Sequence, residues 1–140
     1  HQGNGNSGIL GSNPDVFIFS MHGAKNYPFT KVASTIDVEL ADGTGDEEYL
    51  SLLKKNLPAI FEWKPDIILY QAGVDPLEHD SLGRLSLTAG GLMERDRMVL
   101  EECKKRGVPV SLGLGGGYSK PISHTVDAYA GTYRVVKQLF

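Results

Sequence analysis

A chain of 140 residues with 41% hydrophobic and 22% charged side chains fits one soluble globular domain and excludes disordered, fibrous and membrane-spanning classes. At this size about two-thirds of the unfolded surface can be buried, so the single Cys103 needs no disulfide partner. Seventeen acidic against fourteen basic residues give a net charge of -3, which argues against nucleic acid or anionic membrane as partners and favours small molecules or protein segments.

Glycine accounts for 17 residues, well above the usual ~7%, and it is clustered at Gly3 to Gly11, Gly43 and Gly45, Gly90 and Gly91, and Gly113 to Gly117. Such clusters mark tight backbone at chosen loops. The chain opens on His1 without an initiator methionine or an apolar signal region, so a preceding segment is expected to be either processed away or not included, and a cytoplasmic location is expected.

In chain order, the Gly- and Asn-rich stretch from His1 to Pro14 reads as loop. Asp15 to Ser20, carrying Val16, Phe17, Ile18 and Phe19, reads as a strand covered on both faces. Thr35 to Leu40 alternates and reads as a strand nearer an edge. Thr44 with Glu47 fits a capping box, and Tyr49, Leu50, Leu52, Leu53 and Leu57 predict a helix over about Gly45 to Trp63, interrupted near Pro58. Ile67 to Tyr70 reads as a central strand.

After a turn-like Ser81 to Thr88, a second helix is predicted to Arg106, with Leu92, Val99, Leu100 and Cys103 inward and Glu94, Arg95, Glu101, Glu102, Lys104 and Lys105 outward. Gly107 and Pro109 end it. Val108 to Leu114 gives the next strand. Ile122 to Phe140 reads as a last helix whose stripe of Val126, Tyr129, Tyr133, Val136 and Phe140 is assigned to the core. Strands alternating with helices predict an α/β fold with a mainly parallel sheet. Ligands in such folds sit beyond the carboxyl ends of the strands, which singles out the loops at Gln71 to Asp80 and Gly115 to Lys120.

Asp75, at such a strand end, has the chemistry to bind a metal, orient a base or cap its loop. His1 is the natural second ligand, because imidazole and carboxylate together suit a divalent ion such as Zn²⁺. His22, His79 and His124 lack any metal-binding spacing and read as surface or loop histidines. The Gly115 to Gly117 loop fails the dinucleotide fingerprint, since Tyr118 stands where a glycine is needed and no GK[ST] follows. Tyr118 has two readings: a phenol aimed into the crevice to support an oxyanion, or a ring packed on the edge of the core. Cys103, on the buried face of a helix with no base beside it, is not expected to act as a nucleophile.

His1-Gln2-Gly3-Asn4-Gly5, Ser20-Met21-His22, Tyr27-Pro28-Phe29, Gly43-Thr44-Gly45-Asp46, the segment from Tyr70 to Leu77, Asp80-Ser81-Leu82-Gly83-Arg84-Leu85, Arg95-Asp96 and Gly115-Gly116-Gly117-Tyr118 follow one another from the first residue to the last helix. In that order they resemble zinc-dependent histone deacetylases. The form is most similar to the class IV branch and to bacterial deacetylase-like proteins, the group that includes acetoin-utilisation proteins.

The resemblance implies a three-layer arginase/deacetylase-like fold, here the C-terminal part of a single catalytic domain spanning residues 1 to 140. It implies a zinc-dependent amidohydrolase that removes acetyl or acyl groups from lysine side chains or related amines. By motif, His1 and Asp75 match zinc ligands, Tyr118 matches the tyrosine that stabilises the tetrahedral intermediate, and the His1 carbonyl, Ser20 hydroxyl and Met21 carbonyl match ligands of a structural potassium ion. Gly3 stands where arginase-type enzymes carry a further ligand, which favours one zinc. The Asp-x expected before His1 and an upstream His-His pair lie outside this sequence, so the 140 residues alone are expected to be inactive or nearly so and to bind zinc weakly. The alternative is a truncated, non-catalytic binding or assembly module. A truncated sheet is also expected to expose an edge and to promote homo-oligomerisation.

Overall fold

The computed structural model describes residues 1–140. Its elements run α1 (Asn4–Leu10), β1 (Phe19–Gly23), β2 (Ile36–Leu40), α2 (Asp46–Glu62), β3 (Ile68–Gln71), α3 (Ala89–Arg106), β4 (Val110–Gly113) and α4 (Ser123–Leu139). The strands form two parallel pairs: β1 with β2, where Phe19 faces Ile36, and β3 with β4, where Ile68 faces Val110. Parallel neighbours require a crossover, and α3 supplies it between β3 and β4.

The inward face of α3 is as its periodicity predicts, with Leu92, Val99, Leu100 and Cys103 buried. Thr88 caps it by accepting a hydrogen bond from the Gly91 N–H at 3.0 Å, and Gly107, at φ 67°, closes it in the left-handed region. One core cluster gathers Leu40, Tyr49, Val74, Leu77, Leu87 and Leu92 beneath the loop that carries Asp75. A second joins Leu53, Leu57 and Phe61 of α2 to Val99 and Cys103 of α3.

Several expectations need correction. The opening stretch is not all loop, because α1 forms there without an apolar period. It is held instead by tertiary bonds: buried Ser7 meets Ser34 Oγ at 2.9 Å, and the Gln2 side chain both donates to the Val32 carbonyl and accepts from the Val32 N–H. The first strand begins at Phe19 rather than Asp15, because its ladder starts where Ile36 begins to pair. The apolar run before it packs irregularly, Phe17 lying 5.8 Å from the Trp63 ring. The Thr44 and Glu47 capping box is absent: α2 is capped by Gly45 with no side-chain bond, and Thr44 Oγ1 donates to Glu48 instead. Pro58 lies inside an unbroken α2. β3 pairs only with β4, and Leu69 is 77% exposed, so this strand is not covered on both faces.

The largest difference is in α4. Its buried residues are Thr125, Ala128, Gly131, Thr132 and Val135, while Val126, Tyr133 and Phe140 are exposed. The inward face is turned by one residue, about 100°, from the apolar stripe. Close packing on α3 explains the turn: a Cβ on Gly131 would stand 3.0 Å from Met93 Cγ, and Thr132 Oγ1 donates to Asp96 Oδ2 at 2.6 Å. Small residues and a buried hydrogen bond fix the phase of this helix. Arg95, expected outward, is buried beside Asp96 for the same reason.

Candidate active site

The parallel pairing of β3 and β4 continues past the strands themselves. Ala72 N–H donates to the Gly113 carbonyl at 2.9 Å and Val74 N–H to the Gly116 carbonyl at 3.1 Å. The two chains therefore leave the carboxyl end of the sheet side by side, one leading to Asp75 and the other to Tyr118. The Tyr129 hydroxyl clasps the glycine loop from α4, accepting from Gly115 N–H at 2.9 Å and donating to the Gly116 carbonyl at 2.6 Å. Burial raises its phenol pKa, so it keeps the proton that the second bond needs.

Asp75 is 8% exposed and surrounded by backbone. A Cβ on Gly83 would lie 2.1 Å from the Asp75 carbonyl oxygen, and one on Gly73 would lie 2.8 Å from Asp75 Oδ1. The glycine surplus in these loops thus serves close approach to a carboxylate. His1 reaches the same carboxylate from the N-terminal segment: its Nδ1 stands 2.8 Å from Asp75 Oδ2. His1 Nε2 lies 3.4 Å from Asn26 Nδ2. Buried Asn26 in turn donates to the Leu82 carbonyl and accepts from Arg84 N–H, tying three loops together.

Behind Asp75 lies a charged network that periodicity alone did not reveal. Arg95 Nη1 donates to the Gly73 carbonyl at 2.6 Å, and its Nε donates to Asp96 Oδ1 at 2.9 Å. Asp96 also accepts from the Tyr70 hydroxyl at 2.6 Å and from Thr132. Burial opposes the charge on Arg95, but Tyr70, Asp96 and Tyr49 outweigh it and raise the guanidinium pKa. Arg95 and Asp96 were visible in the sequence only as an adjacent pair within an ordered series of motifs.

The structure brings His1 and Asp75 together. Tyr118 lies on the neighbouring loop with its side chain 55% exposed, and its N–H donates to Asp80 Oδ2 at 2.6 Å. Ser20 and Met21 lie on β1, where the buried Ser20 hydroxyl stands 3.0 Å from His22 Nδ1. His22 is therefore no surface histidine. It is fully buried, and burial lowers its pKa against the opposing pull of Asp37. His79 is exposed, and its ring stacks on that of His124 at 4.2 Å. Burial pushes the Cys103 thiol up to about 11, which agrees with an inert role.

The histone deacetylase domain model matches residues 1–132. The chain belongs to the histone deacetylase family. It is 39% identical over 141 residues to an uncharacterized protein of Picosynechococcus sp., covering 100% of this chain and 47% of that protein. It is 34% identical over 130 residues to histone deacetylase 2 of Arabidopsis thaliana, covering 90% of this chain and 34% of the relative. Among solved structures, the HDA15 HD domain superposes with a TM-score of 0.78 at 25% identity, over 96% of this chain and 41% of that one. Acetylpolyamine aminohydrolase from Burkholderia pseudomallei shares the fold, with a TM-score of 0.74 at 18% identity. The chain spans less than half the length of these relatives, so its parallel strands and flanking helices are part of the deacetylase fold.

A family of this kind suggests a metal cofactor, and the donor set can be tested against one. Tetrahedral ligands about 2 Å from a shared ion stand about 3.3 Å apart, whereas His1 Nδ1 and Asp75 Oδ2 stand at the hydrogen-bond distance of 2.8 Å, so the pair would open by about 0.5 Å to share an ion. One imidazole nitrogen and one carboxylate oxygen suit Zn²⁺. No group of three or more His, Cys, Asp or Glu side chains converges in the chain. By donor chemistry, the two residues fit as part of a metal site.

Proposed function

We propose that residues 1–140 are the C-terminal part of a single histone-deacetylase-like catalytic domain, which removes acetyl or acyl groups from lysine side chains or related amines in the cytoplasm. The observation that carries this reading is the meeting of His1 Nδ1 and Asp75 Oδ2 at 2.8 Å, beside the loop bearing Tyr118, at the carboxyl ends of parallel strands. His1 and Asp75 would hold zinc. When bound, that ion polarises an amide carbonyl and activates water. Tyr118 then donates a hydrogen bond from its phenol to the oxyanion that develops on the carbonyl oxygen. Arg95, through the Gly73 carbonyl, keeps the Asp75 loop in place. Ser20 Oγ and the carbonyls of Met21 and His1 would serve a potassium ion. The open β4 edge and exposed Leu69 and Leu114 support self-association of the isolated chain, which a concentration-independent monomer in sedimentation would refute.

The test is zinc content and acetyl-lysine hydrolysis, measured on this chain and on one extended upstream. The extended form should bind zinc stoichiometrically and turn over, while the short chain should do neither well. In the active form, Asp75→Ala should abolish zinc retention. Tyr118→Phe should keep zinc and lower kcat by about 10²- to 10³-fold. A zinc-free, inactive extended form would favour a binding or assembly module, and full-rate hydrolysis by the short chain would overturn the idea that proton-handling groups lie outside it.

A further inference from the structure

Beyond the Val74 to Gly116 bond, the two loops that leave β3 and β4 are joined at Asp80 and Ser81. Asp80 Oδ1 accepts from Leu82 N–H at 2.9 Å and Gly83 N–H at 2.6 Å, closing its own loop. Asp80 Oδ2 accepts from Tyr118 N–H at 2.6 Å. Ser81 grips the other side of the same residue, donating to the Tyr118 carbonyl from its N–H at 3.1 Å and its hydroxyl at 2.6 Å. Both peptide groups flanking the Tyr118 Cα are thereby held, while the phenol makes no hydrogen bond of its own and is more than half exposed. The hydrogen bonds that hold this residue all act through its backbone. The other end of the clasp reaches the metal-ligand candidate, since Gly83 packs directly on the Asp75 carbonyl.

We propose that Asp80, assisted by Ser81, is the positioning residue that sets the Tyr118 phenol relative to Asp75. This rests on the reading of Tyr118 as the oxyanion's hydrogen-bond donor. The chemistry requires an acceptor at both ends of the side chain, which a carboxylate provides and a carboxamide does not. Asparagine at this position can still accept from Leu82 and Gly83, but it then turns an NH₂ toward the Tyr118 N–H, donor against donor. Asp80→Asn therefore opens the link to Tyr118 while leaving the closure of its own loop in place.

The experiment uses an active protein carrying this chain, with an acetyl-lysine peptide as substrate. Asp80→Asn should lower kcat by about 10- to 100-fold, the scale of a misplacement near 1 Å, with KM and zinc content unchanged. Hydrogen exchange at the Tyr118 amide should accelerate by about tenfold or more, while the Leu82 and Gly83 amides hold their rates. Added to Tyr118→Phe, Asp80→Asn should cause no further loss. A normal kcat in Asp80→Asn beside a disabled Tyr118→Phe overturns the proposal, as does a full additional loss in the double variant. A normal kcat in Tyr118→Phe alone instead overturns the phenol reading and removes the catalytic role of Asp80 with it.

Discussion

Asp96→Ala is expected to be among the most damaging single substitutions in the chain. The carboxylate is fully buried and accepts from the Tyr70 hydroxyl, Arg95 Nε and the Thr132 hydroxyl. Its loss strands the Arg95 guanidinium, itself 5% exposed and unable to neutralise by giving up its proton. Breaking a buried ion pair from one side costs about 3–5 kcal/mol, and the two orphaned hydroxyls bring the expected total to about 4–6 kcal/mol. With a urea dependence of about 2 kcal/mol per molar for a small domain, the unfolding midpoint should fall by about 2–3 M. Urea titration followed by the fluorescence of Trp63, the only tryptophan, measures it. The double variant Arg95→Met with Asp96→Leu should recover much of the loss, because no charge is left buried without its partner. A midpoint shift below about 0.5 M for Asp96→Ala, or a double variant less stable than either single, would refute this account of the network.

Gly83→Ala should cost about 1–3 kcal/mol and weaken zinc retention in an active form, because the added methyl would lie 2.1 Å from the Asp75 carbonyl oxygen. Gly5→Ala, inside α1 where nothing lies within 4 Å, is the control: it should leave metal content unchanged and, as alanine favours a helix by about 0.5–1 kcal/mol over glycine, should hold or slightly raise the midpoint. Cys103, whose thiol is raised by burial from 9.0 to about 11, should resist thiol reagents at pH 8 until the chain unfolds. Between pH 9 and 11 the unfolded chain gives up a proton that the folded chain keeps, so stability should fall as pH rises. Urea midpoints across that range should show a shallower decline in Cys103→Ala. Above pH 10 a slope should remain, because burial also raises Tyr49 and Tyr70.

The sequence was informative where one local signal acted alone. The inward face, the Thr88 start and the glycine stop of α3 all agree with its pattern. It misled where several signals competed. In α4 the apolar stripe suggested one face, but Gly131 and Thr132 allowed a closer and better bonded fit on α3 with the neighbouring face. In β1 the apolar run suggested a ladder that the partner strand does not supply until Phe19. Arg95 was assigned outward because a charge on a helix usually faces water, and only the folded chain brings Asp96, Tyr70 and the Gly73 carbonyl around it. Asn26 and Asp80 gave no periodic signal, since their bonds join segments far apart in the chain.

The backbone packed around Asp75 also bears on how this loop can vary among descendants. Gly73 and Gly83 contribute no ligating atom, yet a single methyl at either would press on the carboxylate or on its own carbonyl. Tolerance to mutation should therefore follow clearance from Asp75 rather than chemical similarity to a ligand. In a saturation library selected for metal retention, these two glycines should be less tolerant than glycines with open space such as Gly5, with Gly83, which meets backbone, the less tolerant of the two. Asp75→Glu, which lengthens the side chain by one methylene, should fail although it keeps the charge.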